Sequence, residues 1–234
     1  MLATVVHSQS KASTSETLKD MRAVLRFFVL VLCSSLFVSA SGFAQAKDKP
    51  RLEAPIGAAI QKDNFYPRVK LETSMGDIVI ELNRAKAPLT TNNFLTYVQQ
   101  KEYDNTLFHR IIPNYIVQGG GYDPEFKEKK SNYKIINESG NGLKNETYSV
   151  AMARMNSPHS AKRQFFFNMK DNENLDPGRQ WGYAVFAMVV EGQDIVDAMA
   201  AVETHVDPST GYPDTPIEDV LLKRATILPE PSFD

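Results

Sequence analysis

Hydrophobic and polar residues alternate in two neighbouring stretches, Val69-Lys70-Leu71-Glu72-Thr73 and Asp77-Ile78-Val79-Ile80-Glu81-Leu82. A period of two sends successive side chains to opposite faces, so each stretch predicts a strand with one buried side. Ser74-Met75-Gly76 between them predicts a hairpin turn. After Pro88 the period lengthens. Phe94, Leu95, Tyr97 and Val98 fall at helical spacing, with Pro88 acceptable in a first turn and Lys101 near the end, where a cation suits the helix dipole. A second helix is predicted over 192–201, from Ile195, Val196, Met199 and the following Val202. Further strands are predicted at 148–153, 164–168, 184–190 and 220–228, with a short one at 133–136. Many short strands, two separated helices and no βα alternation indicate a closed or sandwiched β architecture.

One stretch breaks the pattern. Residues 108–121 read F-H-R-I-I-P-N-Y-I-V-Q-G-G-G, an apolar, β-branched run with an arginine inside it. Read as strands broken at Pro113-Asn114, Phe108, Arg110 and Ile112 share one face, and Ile116 and Gln118 share another local face. Arginine and glutamine then approach each other beside apolar side chains, and Gly119-Gly120-Gly121 lets the backbone turn behind them. The plainer reading of Arg110 is a surface cation paired with a carboxylate.

Composition adds bounds. The chain has 234 residues, 42% hydrophobic and 23% charged, which suits one domain plus extensions. Its net charge of −2 and the lack of a dense basic block argue against nucleic acid and anionic membrane surfaces as partners. Lys127, Lys129 and Lys130 alternate with Glu125 and Glu128, as in a solvated loop.

Residues 1–46 read as a leader. Arg22 and Arg26 precede an apolar run from Phe27 that serines dilute, and Ala44-Gln45-Ala46 offers small residues where a signal peptidase reads them. The run is shorter than the roughly 20 apolar residues of a membrane span. Cleavage after Ala46 is expected, giving a periplasmic or secreted protein without stable membrane association; Met21 is an alternative start. Cleavage also removes Cys33, the only cysteine, and takes four cations and two anions with it, so the net charge moves from −2 to −4. A cysteine-free domain is compatible with an oxidising compartment. Residues 47–67, with Pro50, Pro55 and Pro67, read as a linker or surface tail, and the domain is expected over 68–230.

Other constellations carry little. Ser157, His159 and Asp171 lack a nucleophile-elbow context. His7, His109, His159 and His205 have no metal-ligand spacing, so neither a metal nor another cofactor is expected. The glycine triplet lacks the Lys-Ser/Thr of a phosphate loop. Asn137-Glu138-Ser139 and Asn145-Glu146-Thr147 are glycosylation sequons, meaningful only in a eukaryotic secretory route.

Taken in order, Phe108-His109-Arg110-Ile111-Ile112-Pro113, Gln118-Gly119-Gly120, Ala151-Met152-Ala153-Arg154, Gln164-Phe165-Phe166, Asn174-Leu175-Asp176 and Tyr183-Ala184-Val185-Phe186 resemble the cyclophilin-type peptidyl-prolyl cis-trans isomerases, most closely their exported bacterial members. The resemblance spans residues 69–228. It implies a mainly β fold, a closed eight-stranded antiparallel barrel capped by two α-helices, with the substrate groove on its outer face. It also implies a monomer that accelerates X-Pro isomerisation in exported, proline-containing polypeptides without a covalent intermediate. Carried over, Arg110 is the catalytic arginine and Gln118 its polar neighbour. Phe108, Tyr115, Ile116, Phe166, Leu175 and Tyr183 line the substrate pocket, and Ala153 and Arg154 lie along the substrate backbone. The chain departs from the commonest family pattern with Asn114-Tyr115-Ile116 for Gly-Phe-Met, Tyr183 for histidine and Asn174 for tryptophan. The last change implies weak cyclosporin binding. A proline-binding chaperone without useful turnover is the alternative, against which Arg110 and Gln118 weigh.

Overall fold

The computed structural model describes residues 56–131 and 133–230, so the leader and its cleavage site lie outside the described residues. The predicted hairpin is present as β1 (Arg68–Thr73) and β2 (Asp77–Leu82). Val69 and Leu71 pair across from Ile80 and Ile78, and all four are fully buried, so alternation alone has set the register. Thr73 finishes the turn: its hydroxyl donates to the Gly76 carbonyl at 2.6 Å and accepts from the amides of Met75 and Gly76.

Helix α1 (Pro88–Gln99) has proline in its first turn, as expected. Its first amides are satisfied from a distance, because the Glu138 carboxylate accepts from the backbone of Leu89 and Thr90. Lys101 lies past the end in a left-handed conformation (φ 57°), so it ends the helix instead of compensating its last turn. Helix α2 (Gln193–Ala200) follows the left-handed Gly192 and buries Val196, Met199 and Ala200.

The remaining strands are β3 (Thr106–Leu107), β4 (Arg110–Ile112), β5 (Ile116–Gly119), β6 (Ser149–Met152), β7 (Phe165–Asn168), β8 (Val185–Glu191), β9 (Thr204–His205), β10 (Thr215–Pro216) and β11 (Leu221–Ile227). Among the described residues, nine of the strands form one antiparallel sheet in the order β3-β11-β1-β2-β8-β6-β7-β5-β4; β9 and β10 pair separately. The expected closed barrel of eight strands is therefore corrected to an open, curled sheet of nine. The physical reason lies at Phe108-His109. These two residues, which the sequence reads as the start of a strand, lie outside both strands, leaving β3 and β4 as opposite edges of the sheet joined by a two-residue link. Since the link can span only about 10 Å, the edges must curl towards each other. Leu107 spans the seam, donating to the Tyr122 carbonyl at 2.9 Å and accepting from Gly120 at 3.2 Å. No strand forms at 133–136, where Ile135 instead donates a single backbone bond to Ala161.

Inside the curl, Phe94, Tyr103, Phe108, Phe165, Phe167 and Phe186 form an aromatic core, closed by side chains from both helices. Two arginines are also buried. Arg163 is 2% exposed; it donates to the carbonyls of Gly120, Lys130 and Glu102 and lies over the Tyr97 and Tyr103 rings. Arg84 donates to the carbonyls of Gly57, Ile60, Gln61 and Asn64, pinning residues 57–64 beside α1.

Candidate functional site

A second apolar cluster sits on the other face of the same strands. It comprises Ile116, Ala151, Phe166, Leu175 and Val185, with Ile112, Tyr115, Leu143, Ala153 and Tyr183 half-buried around it. Its origin is the parity of the strands: Phe165 and Phe167 point inward, so Phe166 between them must point outward. In an antiparallel ladder directly opposed residues share a face. The register therefore draws a row across five strands, Arg110 opposite Gln118, Gln118 opposite Phe166, Phe166 opposite Ala151 and Ala151 opposite Val185. Ile112 and Ile116 form the next row.

Arginine and glutamine thus stand side by side at the edge of an outward-facing apolar pocket. The Arg110 side chain is 41% exposed, and its Nε lies 3.5 Å from Oδ2 of Asp214. Asp214 is itself fixed, because its carbonyl accepts from the Ile111 amide at 2.8 Å. Both readings of Arg110 therefore meet in one residue: the ion pair exists, and it holds a guanidinium at the pocket's border. Gln118 donates through Nε2 to Oε1 of Gln164 at 2.9 Å. The glycine triplet permits this approach. A Cβ on Gly121 would collide with the Gln164 amide, and Gly120 is left-handed (φ 81°).

The pocket walls come from three segments. Tyr115 lies in the turn between β4 and β5, where Asn114 is left-handed (φ 54°). Leu175 lies in a 3-10 turn over Glu173–Leu175. Tyr183 donates its amide to the Leu175 carbonyl at 2.9 Å, its own carbonyl accepts from the Asn145 side chain at 3.4 Å, and its ring meets Phe166 edge-on at 5.7 Å. Behind them runs a chain of buried amides. Asn172 donates to the carbonyl of Tyr115 and to Oδ1 of Asn168, Asn168 donates to Asn145, and Asn145 donates to Asp176. Bonds to the Asn145 backbone and side chain hold the Asp176 carboxyl below its usual range against the opposing effect of burial.

Most of the expected substrate-contacting residues converge here: Tyr115, Ile116, Ala153, Phe166, Leu175 and Tyr183 belong to one cluster, with Arg110 and Gln118 along its edge. Phe108 does not. It is 1% exposed and packs on Phe165 and Phe167 in the interior, because the break at Phe108-His109 shifts the parity that a continuous strand would have given. Arg154 stacks over Tyr183 at 4.6 Å, but its donors go to the carbonyls of Met155, Trp181 and Gly182, so it binds the protein's own backbone. Sequence reasoning missed Ile112, Leu143, Ala151, Val185 and Gln164; the alternation of the strands was the signal for Ala151 and Val185. It also missed the amide chain, treating Asn145 only as a sequon. Asn137 and Asn145 are both buried with their amide nitrogens engaged, so neither can be glycosylated in the folded protein.

Beside the pocket lies a cavity of about 300 Å³, bordered by Gln118, Gly121, Arg154, Met155 and Gln164. Ser157, His159 and Asp171 do not form a triad: His159 Nδ1 accepts from the Asn137 amide, while Asp171 accepts from Thr147. Among the described residues no cluster of three His, Cys, Asp or Glu could hold a metal.

A protein-family model described as cyclophilin type peptidyl-prolyl cis-trans isomerase/CLD matches residues 68–227. The chain is 50% identical over 164 residues to the peptidyl-prolyl cis-trans isomerase cyp18 of Streptomyces antibioticus, covering 68% of this chain and 98% of the relative. It is 45% identical over 163 residues to the peptidyl-prolyl cis-trans isomerase B of Escherichia coli K12, with 68% and 98% covered. In fold it is similar to a cyclophilin type peptidyl-prolyl cis-trans isomerase of Cryptosporidium parvum, with a TM-score of 0.61, 24% identity and coverage of 71% and 100%. That protein's structure in the presence of the dipeptide Ala-Pro gives a TM-score of 0.60 at 24% identity, covering 70% of this chain and 99% of that one.

Proposed function

The chain belongs to the cyclophilin-type peptidyl-prolyl cis-trans isomerases, and from that premise we propose that Arg110 is the donor that lowers the barrier to X-Pro rotation, in exported polypeptides. The observation that carries this reading is the placing of Arg110 directly opposite Gln118, in the row that leads into the Phe166 pocket.

Rotation about an X-Pro bond costs roughly 18–20 kcal/mol because it destroys amide resonance. In the twisted state the prolyl nitrogen turns pyramidal and gains a lone pair. A guanidinium N–H aimed at that lone pair stabilises the twisted amide more than either planar isomer, which is the requirement for catalysis. No covalent bond forms or breaks, and no proton is transferred. Asp214 at Nε fixes one side of the fork, leaving the terminal nitrogens for the substrate. Tyr115, Ile116, Phe166, Leu175 and Tyr183 grip the proline ring and exclude water, which strengthens the hydrogen bond. Reaching milliseconds from tens of seconds takes about four decades, or roughly 5.5 kcal/mol. One charged hydrogen bond supplies about 1.5–3 kcal/mol, so orientation by the pocket provides the rest.

A protease-coupled assay on a short peptide with one X-Pro bond tests this reading. Acceleration that Arg110→Ala abolishes supports it; peptide binding without acceleration would replace it with a non-catalytic proline-binding role. The export context is read from residues 1–46. The intact mass of the processed protein is expected to start at Lys47, and any other start would contradict cleavage after Ala46. A monomer is expected by sedimentation.

A further inference from the structure

Next to the proline pocket, three surface segments carry large apolar side chains outward. Trp181 is 49% exposed, Ile136 61% and Met155 76%. Isolated exposed apolar residues are ordinary on a protein surface, but these three stand on segments tied together at one point. The Gly182 carbonyl accepts from both Nε of Arg154 (3.2 Å) and Nδ2 of Asn137 (3.0 Å). Arg154 also donates to the carbonyls of Met155 (3.0 Å) and Trp181 (2.6 Å). Asn137 donates its side chain to the Pro158 carbonyl and its amide to His159 Nδ1, and the His159 ring meets the Trp181 indole edge-on at 5.0 Å. Two polar side chains thus fix the backbones of all three segments. The apolar tips are left facing water.

The patch is continuous with the site, since Arg154 lies over the Tyr183 ring of the proline pocket. Building on the isomerase reading, we propose that this patch binds apolar side chains of an unfolded polypeptide close to its X-Pro bond, and so favours substrates whose proline has apolar neighbours. The occupant is an extended, unfolded segment: a folded surface would rarely offer apolar residues beside an exposed proline, whereas an unfolded chain offers both. Because the three segments are already ordered, binding loses little further backbone entropy. Burying an indole or an isoleucine against an apolar partner then contributes directly to affinity.

The test uses two long synthetic peptides with one Ala-Pro bond each, flanked by leucines in one and by serines in the other. Wild-type protein is expected to turn over the leucine peptide with a kcat/KM about tenfold higher, through KM, in line with the contribution of one or two buried apolar contacts. In the double variant Trp181→Ser/Ile136→Ser that preference falls to about twofold or less, while turnover of the serine peptide is unchanged because the carbonyls that hold Arg154 belong to the backbone. Trp181 is the only tryptophan of the chain, so wild-type emission should shift to the blue with the leucine peptide and not with the serine peptide. Equal turnover of both peptides by wild-type protein, or an undiminished preference in the variant, would overturn the inference while leaving the isomerase reading intact. A concentration-dependent blue shift without peptide would also overturn it, showing that a second copy covers the patch. Failure to turn over either peptide would instead contradict the isomerase reading itself.

Discussion

Phe165 and Phe166 are neighbours on β7, and their exposures, 0% and 2%, barely differ. What surrounds them differs completely. Phe165 meets the rings of Phe94, Tyr103, Phe108 and Phe167, all of them buried. Phe166 meets the ring of Tyr183, and its cluster is rimmed by the half-buried Ile112, Tyr115, Leu143, Ala153 and Tyr183. Burial alone therefore does not separate core from site. The separating feature is whether the covering groups are themselves covered, because a partly exposed rim can admit a ligand and a closed aromatic shell cannot.

If that distinction is right, the largest structural effect belongs to the inner face. Phe165→Ala leaves a cavity among four rings and should cost about 3–5 kcal/mol of stability, a fall in melting temperature of about 10 °C or more in a domain of this size. A thermal melt within a few degrees of wild type would show that the inner cluster repacks freely. His109, at the seam of the sheet, gives the next effect, and it is one of pH. Its imidazole is buried against Tyr122, and burial lowers its pKa to about 4. The folded state holds it neutral while the unfolded chain protonates near 6.5, so between those values the unfolded state binds the extra proton. Stability is then fully present above about pH 6.5 and falls as the pH drops towards 4, by up to roughly 3 kcal/mol. Denaturant titrations of wild type and His109→Gln across this window check it; equal slopes in the two proteins would remove His109 as the cause.

On the outer face the balance reverses. Phe166→Ala should cost about 2 kcal/mol of stability or less, since its space opens to water, yet reduce kcat/KM about tenfold or more through KM. Equal stability losses for Phe165→Ala and Phe166→Ala would erase the contrast. The smallest effect is expected at the rim. Asn174 donates to the Tyr115 hydroxyl at 3.2 Å in an exposed position, so Asn174→Ala should change stability by less than about 1 kcal/mol. At that rim an asparagine offers neither the area nor the N–H of an indole, and cyclosporin is expected to bind weakly and to bind more tightly to Asn174→Trp. Tight inhibition that is unchanged in Asn174→Ala would show the position to be irrelevant.

The parts of the fold legible in sequence are those where one local period decides the outcome. The hairpin of β1 and β2 and both helices follow from alternation or helical spacing within a few residues, whereas in the uniformly apolar Phe165-Phe166-Phe167 only the family resemblance set Phe166 apart. The parity of Phe108 was not legible, because Phe108-His109 form a link between β3 and β4 instead of the start of a strand, which separates Phe108 from the face that Arg110 and Ile112 share. The eight-strand count that the resemblance implies failed at the same place, where β3 has two residues and its role as an edge is fixed by β11. Arg84 and Arg163 were not legible as buried residues, since their partners are mainly backbone carbonyls, with the Asn92 and Glu102 side chains besides, and the fold brings these together from separate segments. The amides of Asn145, Asn168 and Asn172 were hidden for the same reason: their partners are assembled only by the fold. Arg110 and Gln118 could be picked out because a charge within a β-branched run needs a purpose, and the register then placed them directly opposite each other.

The central claim is that Arg110 serves turnover and not folding, and the most direct measurement is isomerase kcat/KM alongside thermal unfolding for wild type, Arg110→Lys and Arg110→Ala. Lysine keeps the charge but loses the planar fork. Both variants should therefore lose about two decades of kcat/KM, roughly 2.7 kcal/mol, with melting temperatures near wild type and peptide affinity falling less than turnover. Arg110→Ala retaining most of its activity would contradict the donor role. Activity and stability lost together would mean that the ion pair with Asp214 is what Arg110 is for.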